Sequence, residues 1–329
     1  MNPHAKSRAI RELTVELGFE RCGITPAGPI GRSQYFAKWL QRGRAGSMDY
    51  IHKHFNTRIN PSFFLDGAQS VIVVALSYMQ RPSSESLTDQ PRSGRVAMYA
   101  WGDDYHDVIR VKLAEMVGRM RAAMGEPFEA RVCVDTAPIL ERELAAAAGI
   151  GWIGRNTLVL HHELGSYFFL GAIITTLDLA PDDPLPDRCG TCTACLDACP
   201  TQAFPKPYEM DASRCISYLT IEHRGDISKP FQQMMGDWLF GCDVCQEVCP
   251  YNRHAPATRE PRFAVRAPGP RPALDEILGW SIDDYRAKLC RSAMTRAKLD
   301  MLRRNARIAL ANTTVPLPGG AGHARSLLV

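Results

Sequence analysis

Cys189, Cys192, Cys195 and Cys199 form the run CxxCxxCxxxCP, closed by Pro200, and Cys242, Cys245 and Cys249 form CxxCxxxCP, closed by Pro250. Cys215 stands alone between the runs and brings the count to eight. Eight thiolates suit two cubane clusters with four ligands each. Three cysteines two residues apart let one turn of chain wrap a cluster, while the fourth, before proline, reaches the other cluster in ferredoxin-type proteins. The spacing predicts one [4Fe–4S] cluster on Cys189, Cys192, Cys195 and Cys249, and a second on Cys199, Cys215, Cys242 and Cys245. Structural zinc is the alternative, because zinc also uses cysteine pairs at this separation. The first run overfills a tetrahedral site, and the second repeats its Cys-Pro ending. Cys22, Cys133 and Cys290 read as small buried hydrophobes, although Cys133 lies close to a candidate acid.

Electrons held on such clusters need an acceptor, and a bare polypeptide offers none at low potential. A further redox cofactor or a docked redox partner is required. No GxGxxG run follows a strand and opens a helix, so a Rossmann nucleotide site is not supported. Asp135 ends a strand candidate and precedes a helix candidate, where loops of mixed α and β domains line clefts. Its plain alternative is a helix N-cap. Tyr105-His106, after Trp101-Gly-Asp-Asp, is a second polar–aromatic cluster, and there the alternative is a helix start capped by Asp103 or Asp104.

The elements that must position these residues are legible from periodicity. Helices are expected over 5–17, 105–124 and 139–148, from apolar residues three and four apart. Strands are expected over 70–76, 131–134, 157–160 and 167–175, and an exposed loop over 80–95. Residues 273–278, 281–289 and 297–312 read as tail helices, and 313–329 as an irregular end. The fold class is α+β: an N-terminal α/β domain over 1–178, a ferredoxin-like domain over 179–256, and a helical, HEAT-like tail over 257–329.

Apolar residues make up 45% of the 329 and charged residues 22%, enough for a real core and against disorder. The net charge of +4 is too small to decide for an anionic partner, so any nucleic-acid surface must be a local patch. The first residues lack a continuous apolar stretch and the longest apolar run is too short to span a bilayer, which makes a cytoplasmic location the default.

Three separated stretches, YAWGDDYH at 99–106, VDTAPILERELAAAAGIGWIGRNT at 134–157 and CISYLTIEHRG at 215–225, together with the cysteine block and RRNARIALAN at 303–312, resemble the epoxyqueuosine reductase family. That family joins iron–sulfur clusters to cobalamin and is related in its N-terminal domain to reductive dehalogenases. The resemblance implies reduction of epoxyqueuosine to queuosine at the wobble position of tRNAs with GUN anticodons, by a monomer fed from an external low-potential electron donor. It implies that Asp135, in the DTAP motif, is the acid that protonates the departing oxygen. An acid active near neutrality needs a raised pKa. Tyr105, His106, Cys133, Gly151, Trp152, Gly154, Arg155, Asn156 and Thr157 would line the cobalamin pocket, where close approach to a flat macrocycle would explain the glycines better than a hairpin. Ligation of cobalt by His106 is the lesser alternative to cobalamin without a histidine ligand. Arg291, Arg296, Lys298, Arg303, Arg304 and Arg307 are the densest cations and the first candidates for tRNA phosphate, with Arg42, Arg44, His52, Lys53, His54 and Arg58 a second patch.

Overall fold

The structure, a computed structural model, describes residues 1–81 and 92–314. Most of the expected 80–95 loop and nearly all of the 313–329 end lie outside the described residues. In chain order the first elements are α1 (Pro3–Glu16), β1 (Arg21–Pro26), α2 (Ser33–Gln41), α3 (Phe55–Ile59), β2 (Ser70–Ser77) and β3 (Arg95–Val96). Then come α4 (Tyr105–Ala123), β4 (Ala130–Cys133), α5 (Glu141–Ala147), β5 (Trp152–Ile153), β6 (Val159–Leu160) and β7 (Phe168–Thr175). The cysteine region holds α6 (Ala194–Asp197), α7 (Ile216–Ile221), α8 (Lys229–Met234), β8 (Trp238–Phe240) and α9 (Val244–Glu247). The last helices are α10 (Leu274–Gly279), α11 (Ile282–Lys288) and α12 (Leu299–Thr314).

Four strands form one sheet in the order β1-β2-β7-β4, and every pairing in it is antiparallel. The N-terminal part is therefore α+β rather than a parallel α/β sheet. All eight residues of β2 are buried, because helices cover both faces of the sheet. On one face Ile72, Val74 and Leu76 meet Ile10 of α1 and Ile109, Leu113, Met116 and Met120 of α4. On the other, Val71, Val73 and Ala75 meet Leu144 and Ala145 of α5. The period-two alternation of the strands and the three-to-four spacing of the helices thus point into two half-cores that share the sheet.

Several expectations change in detail. Strands β1 and β8 were not anticipated, and Arg95, expected in a loop, lies in β3, which pairs in parallel with β8. The helix expected from 139 begins at Glu141, with Leu140 as a cap that makes no side-chain bond. Asp135 is not an N-cap at all; it sits at φ 53°, in the left-handed region that Asp tolerates better than most residues.

The tail helices do not pack alone. Leu274, Ile277, Trp280, Leu302, Ala306 and Ala309 share one core with Val96, Trp101, Leu239 and Phe240. Asn305, fully buried, donates to the carbonyls of Thr220 and Leu239 at 2.9 and 3.0 Å, fastening α12 to α7 and β8. A buried amide at this crossing is stable only because its donors and acceptor are all used.

Candidate active site and cysteine region

The site begins with a cap. Asp104 precedes α4 and accepts the His106 N–H at 3.0 Å, as an N-cap aspartate should. The same oxygen faces His106 Nδ1 at 2.7 Å. On the far side of the ring, Nε2 faces the Asp135 carboxylate at 3.2 Å. Strand β4 and its left-handed exit deliver Asp135 to that position, and Glu141 at the start of α5 accepts the Asp135 N–H at 2.6 Å. Tyr105 lies under the pair, its ring stacked on Phe169 at 4.2 Å and against His106 at 4.1 Å, with its hydroxyl directed at Asp135.

The electrostatics follow from this arrangement. Crowding by protein pulls His106 down, but hydrogen bonds and charge from Asp104 and Asp135 outweigh it and bring the ring up to about 9. Crowding pushes Asp135 up, yet the His106 contact and charge, the Tyr105 hydroxyl and Arg296 hold it below the usual carboxylate range. In the protein alone the contact thus holds the Asp135 carboxyl down and the imidazole up. Burial and the Asp135 charge lift Glu141 to about 8, well above the usual carboxylate range. The Asp135 side chain is 59% exposed although protein desolvates it, which places it on the floor of an open cleft. Tyr50 and Arg58, from the segment around α3, and Arg296 rim that cleft. Arg296 bonds both Glu222 oxygens, at 2.9 and 3.1 Å, and lies over the Tyr50 ring at 5.4 Å.

The eight cysteines fall into two neighbourhoods. Burial and then the neighbouring Cys249, Cys189 and Cys192 push the Cys195 thiol up to about 11. Burial, Cys242 and Cys215 push Cys245 far up, Cys242 is raised next to Cys215, and Cys215 feels Cys199. Thiols this crowded release protons only to a cationic partner, and eight of them in two groups are the donor type and number that two cubane iron–sulfur clusters use. Cys192 is exposed and Cys189 half-buried, while Cys242 and Cys245 border Asp243, whose buried carboxylate accepts the Met98 N–H at 2.6 Å beside Tyr99.

The expected pocket residues divide. Tyr105 and His106 are at the cleft. Cys133 is 1% exposed in the half-core under α5, on the sheet face with Leu144, and behaves as a small hydrophobe. Trp152, expected against the cofactor, packs on Tyr251 and directs its indole N–H to Cys189 Sγ at 3.5 Å. The glycines are explained by a hairpin after all: β5 pairs with β6, and a Cβ on Gly151 or Gly154 would strike the Leu160 carbonyl or side chain at 2.2 or 2.0 Å. The Arg155 N–H also points at Cys189, its guanidinium reaches the Gly190 carbonyl, and its buried Nε has no partner. The Asn156 side chain closes the turn on the Leu158 N–H, and Thr157, at φ 65°, accepts from Arg142 on α5 at 2.9 Å. Sequence reasoning passed over Glu141, Asp243 and Asn252. Asn252 ties the loop after Cys249 to Ser166 at 2.7 Å, and only its place shortly after Cys-Pro hinted at a role.

Among the candidate tRNA cations, Arg304 spends its donors on the carbonyls of Leu219, His223 and Gly225 and on Asn305, and Arg303 reaches the Trp280 carbonyl. Arg291 pairs with Asp103 at 2.5 Å. Lys298 and Arg307 are exposed, and no ion pair involves either among the described residues. In the second patch, Arg42 and Arg44 pair with Glu209.

An α+β scaffold carrying an acid–imidazole pair beside grouped cysteines defines an iron–sulfur oxidoreductase. Residues 188–252 match the family model of a 4Fe-4S double cluster binding domain, and residues 58–136 match that of epoxyqueuosine reductase QueG. The chain is 39% identical over 320 residues to epoxyqueuosine reductase of Pseudomonas aeruginosa, covering 96% of this chain and 88% of that protein. With the Escherichia coli enzyme it shares 38% over 307 residues, covering 93% and 81%. A crystal structure of epoxyqueuosine reductase with an epoxyqueuosine-modified tRNA-Tyr stem loop superposes with TM-score 0.87 at 30% identity, covering 95% of this chain and 82% of that one. The enzyme from Streptococcus thermophilus gives 0.86 at 31%, covering 94% and 82%. The chain belongs to the epoxyqueuosine reductase family.

Proposed function

We propose that this chain reduces epoxyqueuosine to queuosine at the wobble position of tRNA carrying a GUN anticodon, using cobalamin and two [4Fe–4S] clusters. The observation that carries the reading is the solvent-facing Asp135–His106 pair, with Tyr99 between Asp135 and Asp243 of the second cysteine run. The similar structure that holds an epoxyqueuosine-modified stem loop supports the substrate.

Cys189, Cys192, Cys195 and Cys249 would hold the outer cluster, and Cys199, Cys215, Cys242 and Cys245 the inner one. An external low-potential donor would deliver electrons at the exposed Cys192 side, and they would pass inward past Tyr99 to the cleft. Cobalamin would supply a low-potential metal face that takes these electrons to the epoxide. Tyr105 and the Arg155–Thr157 turn, which Arg142 joins to α5, would hold its ring. An exposed acid on an aromatic floor fits a flat macrocycle whose reactive face must meet a proton donor. His106 has both ring nitrogens engaged by carboxylates and offers cobalt no ligand.

Asp135 would protonate the oxygen as the C–O bond opens, which removes the cost of a free alkoxide. Arg296 and Tyr50 at the rim, with Lys298 and Arg307 beyond, would position the RNA. A wobble base swung out of its stack is reached as other base-directed enzymes reach theirs. We assign residues 1–178 to cobalamin and catalysis, 179–256 to the clusters and 257–329 to the helical tail, acting as a monomer. Among the described residues no helix is long and apolar enough to cross a membrane. The test is anaerobic purification with iron, sulfide and cobalamin analysis, followed by assay on epoxyqueuosine-bearing RNA. Zinc in place of iron, or no conversion by the fully loaded protein, overturns the proposal.

A further inference from the structure

The overall reaction consumes two protons as well as two electrons. Both epoxide C–O bonds break, a C=C bond forms, the carbons are reduced at the expense of the external electron donor, and oxygen leaves as water. The His106–Asp135 contact holds one transferable proton, so Asp135 is charged through the ring and the ring must be refilled from solvent between the two transfers. A second proton must reach the same oxygen before it can depart.

We propose that Asp104, His106 and Asp135 form a proton-delivery chain, in which His106 recharges Asp135 and Asp104 fixes the His106 ring. This rests on the functional reading above and assigns two positioning residues to the same site. The geometry sets the direction of travel. Asp104 lies 2.7 Å from Nδ1 and Asp135 lies 3.2 Å from Nε2, so the ring bridges two carboxylates. The ring and Asp104 are each 22% exposed, whereas Asp135 is 59% exposed toward the cleft. A proton leaving the ring through Nε2 therefore arrives at the group that faces substrate.

The hydrogen count requires a stored proton. With Nδ1–H donated to Asp104, a neutral ring would present its Nε2 lone pair to an ionised carboxylate, a repulsive contact. Both contacts are satisfied only when one more proton lies between Nε2 and Asp135. Asp104 keeps that proton available by supporting the imidazolium, much as a buried carboxylate orients a catalytic imidazole elsewhere.

The surrounding charges are accounted for. From α4 itself come Tyr105 and Arg110; from α5 come Glu141 and Arg142; Tyr99 lies beneath. Across the cleft stand Tyr50 and Arg58, and then Arg296 with Glu222. Arg296 and Arg58 favour ionised Asp135, and only Asp104 and Asp135 touch the ring nitrogens, so these two carboxylates dominate the ring. Its ordinary value of 6.5 rises to about 9.

Asp104→Asn separates this role from a structural one. Asparagine caps a helix about as well as aspartate, so α4 keeps its N-cap bond while the ring loses its charged partner. The expected result is a roughly 10- to 100-fold fall in kcat with KM for the RNA little changed. The alkaline limb of the kcat profile should move toward lower pH. The direct readout is NMR titration of histidine-labelled holoenzyme with oxidised clusters. One histidine should titrate near 9 in the parent protein, move down in Asp104→Asn and vanish in His106→Gln. A parent-like kcat and pH profile in Asp104→Asn overturns the proposal, as does the lack of any His106 signal titrating above 8. The titration needs no substrate, so it reads the chain even where the assay on epoxyqueuosine-bearing RNA fails and only the functional reading falls.

Discussion

Trp152→Phe should lower the midpoint potential of one cluster and leave the other where it is. The indole N–H points at Cys189 Sγ from 3.5 Å, and the ring is 3% exposed against the edge of Tyr251. Phenylalanine keeps the aromatic packing and deletes only the donor. A hydrogen bond to a cluster sulfur stabilises the reduced state more, because the added electron makes the sulfur a better acceptor. A buried hydrogen bond is worth about 0.5–1.5 kcal/mol net. At roughly 1.4 kcal/mol per 59 mV for a one-electron couple, complete loss of that preference corresponds to a negative shift of about 20–65 mV. The Arg155 N–H still points to the same sulfur and keeps the change toward the lower figure. The assay is an anaerobic potentiometric titration followed by electron paramagnetic resonance, on protein with unchanged iron content. Two unmoved midpoints, or an equal shift in both, would refute the assignment of Trp152 to the outer cluster.

Asp135→Asn should retain cobalt and both clusters yet lose roughly 10²–10⁴-fold in kcat, measured on epoxyqueuosine-bearing RNA; full turnover would remove Asp135 from the chemistry. Cys215→Ala should cost the inner cluster and about half the iron, read by metal analysis with the outer-cluster signal retained. Asn305→Ala leaves the carbonyls of Thr220 and Leu239 without their side-chain donor and should destabilise the fold by about 2–4 kcal/mol in chemical denaturation. The raised His106 value makes a linkage prediction: its contribution to stability is complete below pH 6.5 and is lost as pH rises through about 9, so the parent protein should lose stability over that interval more than His106→Gln does. Lys298→Glu combined with Arg307→Glu should weaken RNA binding and flatten its salt dependence, measured by titration at several salt concentrations.

Much of the molecule is legible in the residue order because the deciding physics is local. Cysteines two residues apart with a closing Cys-Pro specify a cluster ligand run wherever the chain places it. The all-apolar stretch 70–76 and the helical period of 105–124 mark a covered strand and its covering helix before any partner is known. The DTAP segment likewise advertises an acid at a strand end.

Other properties depend on groups far apart in sequence. Asp135 reads most simply as an N-cap until the fold brings His106, 29 residues earlier, to 3.2 Å from its carboxylate. Gly151 and Gly154 suit any close approach, and only the approach of Leu160 across the β5–β6 hairpin shows what occupies the space a side chain would need. Nothing near Trp152 in sequence shows that its indole N–H has a sulfur to meet until the Cys189 loop folds over it. Arg304 and Lys298 are both cations of one tail segment, yet three backbone carbonyls claim the first and solvent the second. Spacing along a chain records which atoms can share a turn, whereas proton affinity and hydrogen-bond partnership depend on distance through space.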